Sequence, residues 1–136
     1  MTPSATPITG GCLCGQVRYA ITGPALQTAH CHCTMCRRAS GALAVTFTVV
    51  NWADFRCTQG EPAVYHSSSH AERRFCANCG SQLTFWDQKR PDSLDVNTGT
   101  LDHPEAFPAQ KHVWTETRVA WLELDPGLPG WNPSGE

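Results

Sequence analysis

The chain has 136 residues, 40% of them hydrophobic, with 10 Lys and Arg against 12 Asp and Glu for a formal net charge of −2. That length suits one domain able to bury its own core, and no apolar run approaches what a membrane-spanning helix needs. The sequence pI is about 6.3, and no basic run extends beyond the pairs Arg37-Arg38 and Arg73-Arg74, so a nucleic-acid partner, which needs a clustered cationic face, is disfavoured.

Residues 1–9 are rich in Pro and Thr and read as an extended or disordered segment. They lack the cationic start and apolar stretch of a signal peptide, which points to a cytoplasmic, reducing location. Residues 17–21 alternate apolar and polar side chains, as a strand does, and end at the turn Thr22-Gly23-Pro24. One helical turn is expected after Cys33. Residues 43–50 alternate over eight positions rich in β-branched and aromatic types and form the strongest strand signal. A strand over residues 55–57 runs into a turn at residues 59–62. Residues 63–66 and 72–75 flank a Ser67-Ser68-Ser69 loop and read as a hairpin. Short strands are expected at residues 83–86, 94–97 and 113–115, with a second helical turn near residues 102–107. Residues 126–136 are rich in Gly and Pro and read as a C-terminal tail or strap. The whole predicts one all-β domain over residues 10–125, sandwich-like or barrel-like.

Seven of the eight cysteines fall in three tight clusters: Cys12-Leu13-Cys14-Gly15, Cys31-His32-Cys33-Thr34-Met35-Cys36 and Cys76-Ala77-Asn78-Cys79-Gly80. Cysteines one or two residues apart rarely reach disulfide geometry, so thiolate metal ligation is the better reading. The outer clusters resemble each other, since Cys14 and Cys79 each precede a glycine. A chain leaving a metal-binding turn often needs positive φ, which glycine adopts freely. Cys12, Cys14, Cys76 and Cys79 therefore pair as a closed structural zinc site, although spacing alone also permits a partition mixing the middle cluster with an outer one.

Cys31, Cys33 and Cys36 then hold a second, more labile zinc with one corner open, as catalytic sites require. His30 or His32 would close that corner if either ligated; alternation along extended chain turns His32 away from Cys31 and Cys33. Arg37 and Arg38 are candidates to balance thiolate charge or hold a substrate carboxylate. Cys57 reads as a small buried hydrophobe.

These motifs, with Arg37-Arg38-Ala39-Ser40-Gly41 after the middle cluster and Asn97-Thr98-Gly99-Thr100-Leu101-Asp102 further on, resemble the glutathione-dependent formaldehyde-activating enzyme family, also called centromere-protein-V-like. The resemblance runs from about Gly10 to Trp131. It implies a β-tent fold of small antiparallel sheets organised around a structural zinc. It also implies the same division of cysteines, four structural and three catalytic. The activity it implies is a carbon–sulfur lyase reaction joining glutathione and formaldehyde reversibly. The partner is then a small-molecule thiol such as glutathione, with no membrane. His32, His112 and Glu116 are the candidate proton carriers, while Trp86 and Trp121 read as core. The competing reading is a non-enzymatic zinc-binding interaction module of the same fold. A methionine sulfoxide reductase of the B type would need a redox cysteine after Cys79, and none follows.

Overall fold

Eleven strands, joined by short turns, form two sheets in the computed structural model, which describes residues 6–132. The smaller sheet is antiparallel and contains β1 (Ile8–Gly11), β2 (Arg18–Ile21) and β5 (Phe55–Gln59). The larger contains β3 (Ala25–Cys31), β4 (Val45–Asn51), β6 (Ala63–Ser68), β7 (Ala71–Phe75), β8 (Gln82–Asp87), β9 (Ser93–Asn97), β10 (Lys111–Val113) and β11 (Gly130–Trp131). Its strand order is β11-β10-β3-β4-β9-β8-β7-β6. Pairing is antiparallel from β3 through to β6 and parallel where β10 joins β3 and β11. The class is all-β, as expected, but one sheet is large and mixed.

Period-two alternation explains how the larger sheet serves two purposes. Val50 of β4 and Leu94 and Val96 of β9 face the smaller sheet, where they pack with Val17, Tyr19, Ile21 and Leu101 into the main core. Val45 and Phe47 of β4, and Cys31 at the end of β3, face the other way. With Cys36 they form a second cluster, flanked by Phe85 and Val113. The two cores thus lie on opposite faces of one sheet.

Several boundaries differ from the sequence reading. The strand expected from residue 43 starts at Val45. The hairpin holds, but β6 continues through Ser67 and Ser68, so its turn falls at Ser69-His70. Trp114 is not extended: it takes the left-handed region at φ 58 and caps a 3₁₀ turn over Thr115–Thr117. The turn after Cys33 is a two-turn helix, α1 (Thr34–Ser40), stopped by Gly41 at φ 77. A 3₁₀ turn spans Pro104–Ala106. Residues 1–5 of the N-terminal segment and 133–136 of the tail lie outside the described residues; β1 already begins at Ile8, and Trp131 edges the large sheet. Cys57 is exposed on β5, and Trp121 is 72% exposed, so neither is a core residue. Trp86 packs edge-on against Trp52 beside the main core. Among the described residues no helix is long and apolar enough to cross a membrane.

One ion pair pins the smaller sheet to the loop after β9. Arg18 donates to both Asp102 oxygens at 3.0 and 2.6 Å, and the Thr9 hydroxyl donates to Oδ2 at 2.6 Å. The Arg18 hydrogen bond, helped by Thr9, draws the Asp102 pKa down to about 2. A carboxylate depressed on folding contributes stability above its unfolded pKa of about 3.9 and loses it as pH falls toward 2. The pair is a third exposed, so solvent screening leaves a contribution of about 1 kcal/mol. Asp102→Asn is accordingly expected to cost about that much in urea melts at pH 7, with variant and parent converging below pH 4.

Candidate metal centre and thiol-lined cavity

The first site joins two loops that are remote in sequence. Cys12 and Cys14 follow β1, Cys76 and Cys79 follow β7, and all four sulfurs lie within 4.8 Å of one another. Among the described residues this is the one group of three or more Cys, His, Asp or Glu donors that converges so closely. Cys12 and Cys14 sulfurs are 3.6 Å apart, and those of Cys14 and Cys76 are 3.8 Å apart. A tetrahedral ion with Zn–S bonds of about 2.3 Å separates its sulfurs by about 3.8 Å, so the four thiols fit such an ion without rearrangement.

The local backbone serves the same end. Gly15 and Gly80 both take positive φ, 84° and 82°, as their place after a metal-binding turn requires. Backbone N–H groups reach the sulfurs: Val17 donates to Cys12 at 3.2 Å and Cys79 to Cys76 at 3.4 Å. The Ser81 hydroxyl lies 3.2 Å from Cys79 Sγ. That hydroxyl, with the N–H groups of Ser81 and Cys14, pushes the Cys79 pKa down to about 5. Donors of this kind hold thiolates in place around a cation.

The middle cluster sits elsewhere. Cys31 ends β3, Cys33 is the residue before α1, and Cys36 lies in its first turn. All three line a cavity of about 760 Å³ on the sheet face away from the main core. Cys31 and Cys36 sulfurs are hydrogen-bonded at 3.5 Å. That bond lowers the Cys31 pKa against the opposing effect of burial, and it holds Cys36 up at about 11. Hydrogen bonding with Cys36, then burial, raises Cys33. Without metal, Cys33 and Cys36 therefore hold their protons more firmly than a free thiol does, and Cys31 less firmly. Its donor type suits a soft cation, although its three sulfurs do not all lie within 4.8 Å of one another as the outer four do.

Because protons must leave before a metal binds, these shifts give the two sites different acid sensitivity. Two of the three middle thiols, Cys33 and Cys36, are held above the ordinary thiol range, whereas in the outer site Cys76 is raised but Cys79 is drawn down to about 5, so protons compete more strongly for the middle cluster. Dialysis of zinc-loaded protein at stepped pH is expected to strip the middle cluster before the outer site. Metal analysis showing both sites emptying together would contradict this.

Arg37 and Arg38 do not line the cavity. Both lie on α1, half-exposed and exposed respectively. The cavity's positive charge comes instead from Arg73, Lys89, Arg90 and Lys111, on or beside three other strands. Arg73 is buried, donates from Nη2 to Cys36 Sγ at 3.5 Å, and stacks over Phe85. Arg90 is held in a two-pronged pair with Asp95 at 3.3 and 3.1 Å. His70 Nδ1 lies 3.0 Å from Asp87 Oδ1. Lys89 and Lys111 belong to no ion pair among the described residues.

His32 and His112 are also absent from the cavity. Pointing to the opposite side of β3 and β10, they bond each other, Nε2 to Nδ1, at 2.8 Å, and both are buried. His112 Nε2 donates to the Asp125 carbonyl at 2.9 Å, so its Nδ1 accepts from His32. Burial above all keeps the His32 pKa near 4 and the ring neutral. His30, on the same side, bonds Thr46 and Asp125. These histidines anchor the segment that ends in β11, and so bring Trp131 to the cavity wall against Trp114. Glu116 does line the cavity.

Comparison with known proteins supplies the family. The family model described as glutathione-dependent formaldehyde-activating enzyme matches residues 7–117. A Halomonas elongata protein named "Putative glutathione-dependent formaldehyde-activating enzyme" is 26% identical over 125 residues, covering 85% of this chain and 80% of its own. An uncharacterised lyase of Schizosaccharomyces pombe is 34% identical over 84 residues; the match covers 56% of this chain and 55% of that one. A crystal structure of a Rhodobacter sphaeroides protein superposes with a TM-score of 0.60 over 90% of this chain and 98% of that one, at 20% identity, a likeness of fold. The matched segment contains all three cysteine clusters and every strand except β11, and the chain belongs to the glutathione-dependent formaldehyde-activating enzyme family.

Proposed function

We propose that the protein is a zinc-dependent carbon–sulfur lyase that forms and cleaves thiol adducts of formaldehyde or a related small electrophile. The observation that carries this reading is the opening of Cys31, Cys33 and Cys36 onto a large, mostly apolar cavity whose wall includes Arg73, Lys89 and Lys111. A purely structural cluster has no need of such space, so the cavity favours an enzyme over an interaction module. In this reading Cys12, Cys14, Cys76 and Cys79 hold a structural zinc, and Cys31, Cys33 and Cys36 hold a catalytic one. When bound at the middle cluster, zinc lowers the pKa of a ligating substrate thiol so that a nucleophilic thiolate exists at neutral pH.

The remaining work falls to the chain. Phe47, Phe85, Val113 and Trp131 supply apolar walls that shield the reacting carbon from water. A glutathione-type thiol carries carboxylates, and Lys89 and Lys111 supply matching charge where the carboxylates of such a thiol would lie. Arg90 is fixed by Asp95 and His70 by Asp87, so these pairs shape the wall without adding net charge. Arg73 offsets part of the thiolate charge at Cys36.

The test is magnetisation-exchange NMR on glutathione and formaldehyde with zinc-loaded protein of measured stoichiometry. Acceleration above the uncatalysed exchange is expected. Its absence from fully loaded protein would mean another thiol or electrophile, or the interaction module.

A further inference from the structure

Arg73 presents an electrostatic imbalance. It is 6% exposed, yet no carboxylate pairs with it among the described residues. Asp95 is close enough to feel its charge but is bonded to Arg90. A buried guanidinium without a carboxylate is costly unless another anion answers it. One edge is answered by Cys36 Sγ at 3.5 Å. The plane is fixed by stacking, with Cζ 4.6 Å from the Phe85 ring centre. The rest of the group borders the cavity beside the thiols, and a guanidinium has five N–H donors.

We propose that Arg73 is a catalytic residue whose cavity-facing N–H groups take the negative charge that develops on the electrophile's oxygen. This inference rests on the lyase reading. In the forward direction a lone pair of the substrate thiolate forms the carbon–sulfur bond, the carbonyl π pair moves onto oxygen, and that alkoxide is stabilised by Arg73 until solvent protonates it. In reverse, loss of the hydroxyl proton regenerates the alkoxide, the carbonyl reforms and sulfur leaves with the bonding pair. Nothing is oxidised or reduced. A fixed donor beside the reacting centre stabilises the transition state more than the ground state, so its loss falls on kcat.

The experiment compares the parent, Arg73→Met and Arg73→Lys, each loaded with zinc or with cobalt. In the exchange assay Arg73→Met is expected to lower kcat about 100-fold with KM changed less than about threefold, and Arg73→Lys to recover part of the loss. The cobalt–thiolate absorption bands should keep their intensity in all three, with only a small shift in position from the lost hydrogen bond to Cys36. An activity-independent arm uses thioacetate, which carries sulfur and oxygen on one carbon as the adduct does, against ethanethiol of similar size. The preference for thioacetate, read by titrating the cobalt protein, should fall about tenfold in Arg73→Met.

Undiminished kcat in Arg73→Met would overturn the proposal. So would loss of the cobalt bands in step with activity, which marks a structural role. If the parent does not accelerate glutathione–formaldehyde exchange, that electrophile is wrong and the thioacetate preference decides for or against Arg73. If Arg73→Met does not fold, the Lys variant is read by the same criteria.

Discussion

Serine in place of Cys76 is expected to unfold the protein or leave it with a much lower melting temperature. Cys76 is 1% exposed and belongs to the main core together with Cys12. The four sulfurs join the loop after β1 to the loop after β7, segments more than sixty residues apart. A structural zinc in small peptides contributes roughly 10–16 kcal/mol of apparent binding energy, while a domain of this kind is stable by about 5–15 kcal/mol in total. Losing one of four ligands forfeits a large part of that energy. Thermal melts followed by circular dichroism, alongside zinc content and a chelator-treated parent, make the comparison. A Cys76→Ser protein that binds no metal and melts with the parent would show that the outer centre does not hold the fold.

Cys36→Ala should give the opposite profile: a folded protein without activity. Cys36 lies in the smaller cluster on the far side of the sheet, away from the outer centre. Truncating it removes one sulfur from the wall and costs about 1 kcal/mol. It also removes one of three ligands and the acceptor for Arg73. Exchange between glutathione and formaldehyde is expected to fall at least about 1000-fold, since residues acting as a unit lose nearly everything when one is removed. The outer metal should stay bound, giving about one zinc per chain. Cys57→Ala is the matched control, because Cys57 is exposed on β5 and outside the cavity. Parent-like exchange in Cys36→Ala would remove the middle cluster from the chemistry.

The sequence by itself determined which cysteines stand close together along the chain and the class of the fold. Spacing is local, and so is the need for glycine after a metal-binding turn; hence Gly15 and Gly80 were legible. Alternation is local too, and it located β4, β8 and β9 within about two residues. It did not reveal β3, whose run Ala-Leu-Gln-Thr-Ala-His-Cys has little β-branched or aromatic content. That strand is held by β4 on one side and by a parallel partner 82 residues away on the other.

Tertiary structure alone decided the surroundings of the thiols. Arg37 and Arg38, adjacent to Cys36 in sequence, turn away on α1, and Arg73 takes the place beside the sulfur from a strand 37 residues on. His32 faces away from Cys31 and Cys33 as alternation predicts, but its partner His112, 80 residues on, is set only by the pairing of β3 and β10. Sequence neighbours diverge because a helix rotates successive side chains around its axis and a strand sends them to opposite faces, and distant residues converge because sheet pairing sets register across the whole chain. The thiol clusters could be read from a string of residues, while the charges that act on them depend on which strands lie side by side.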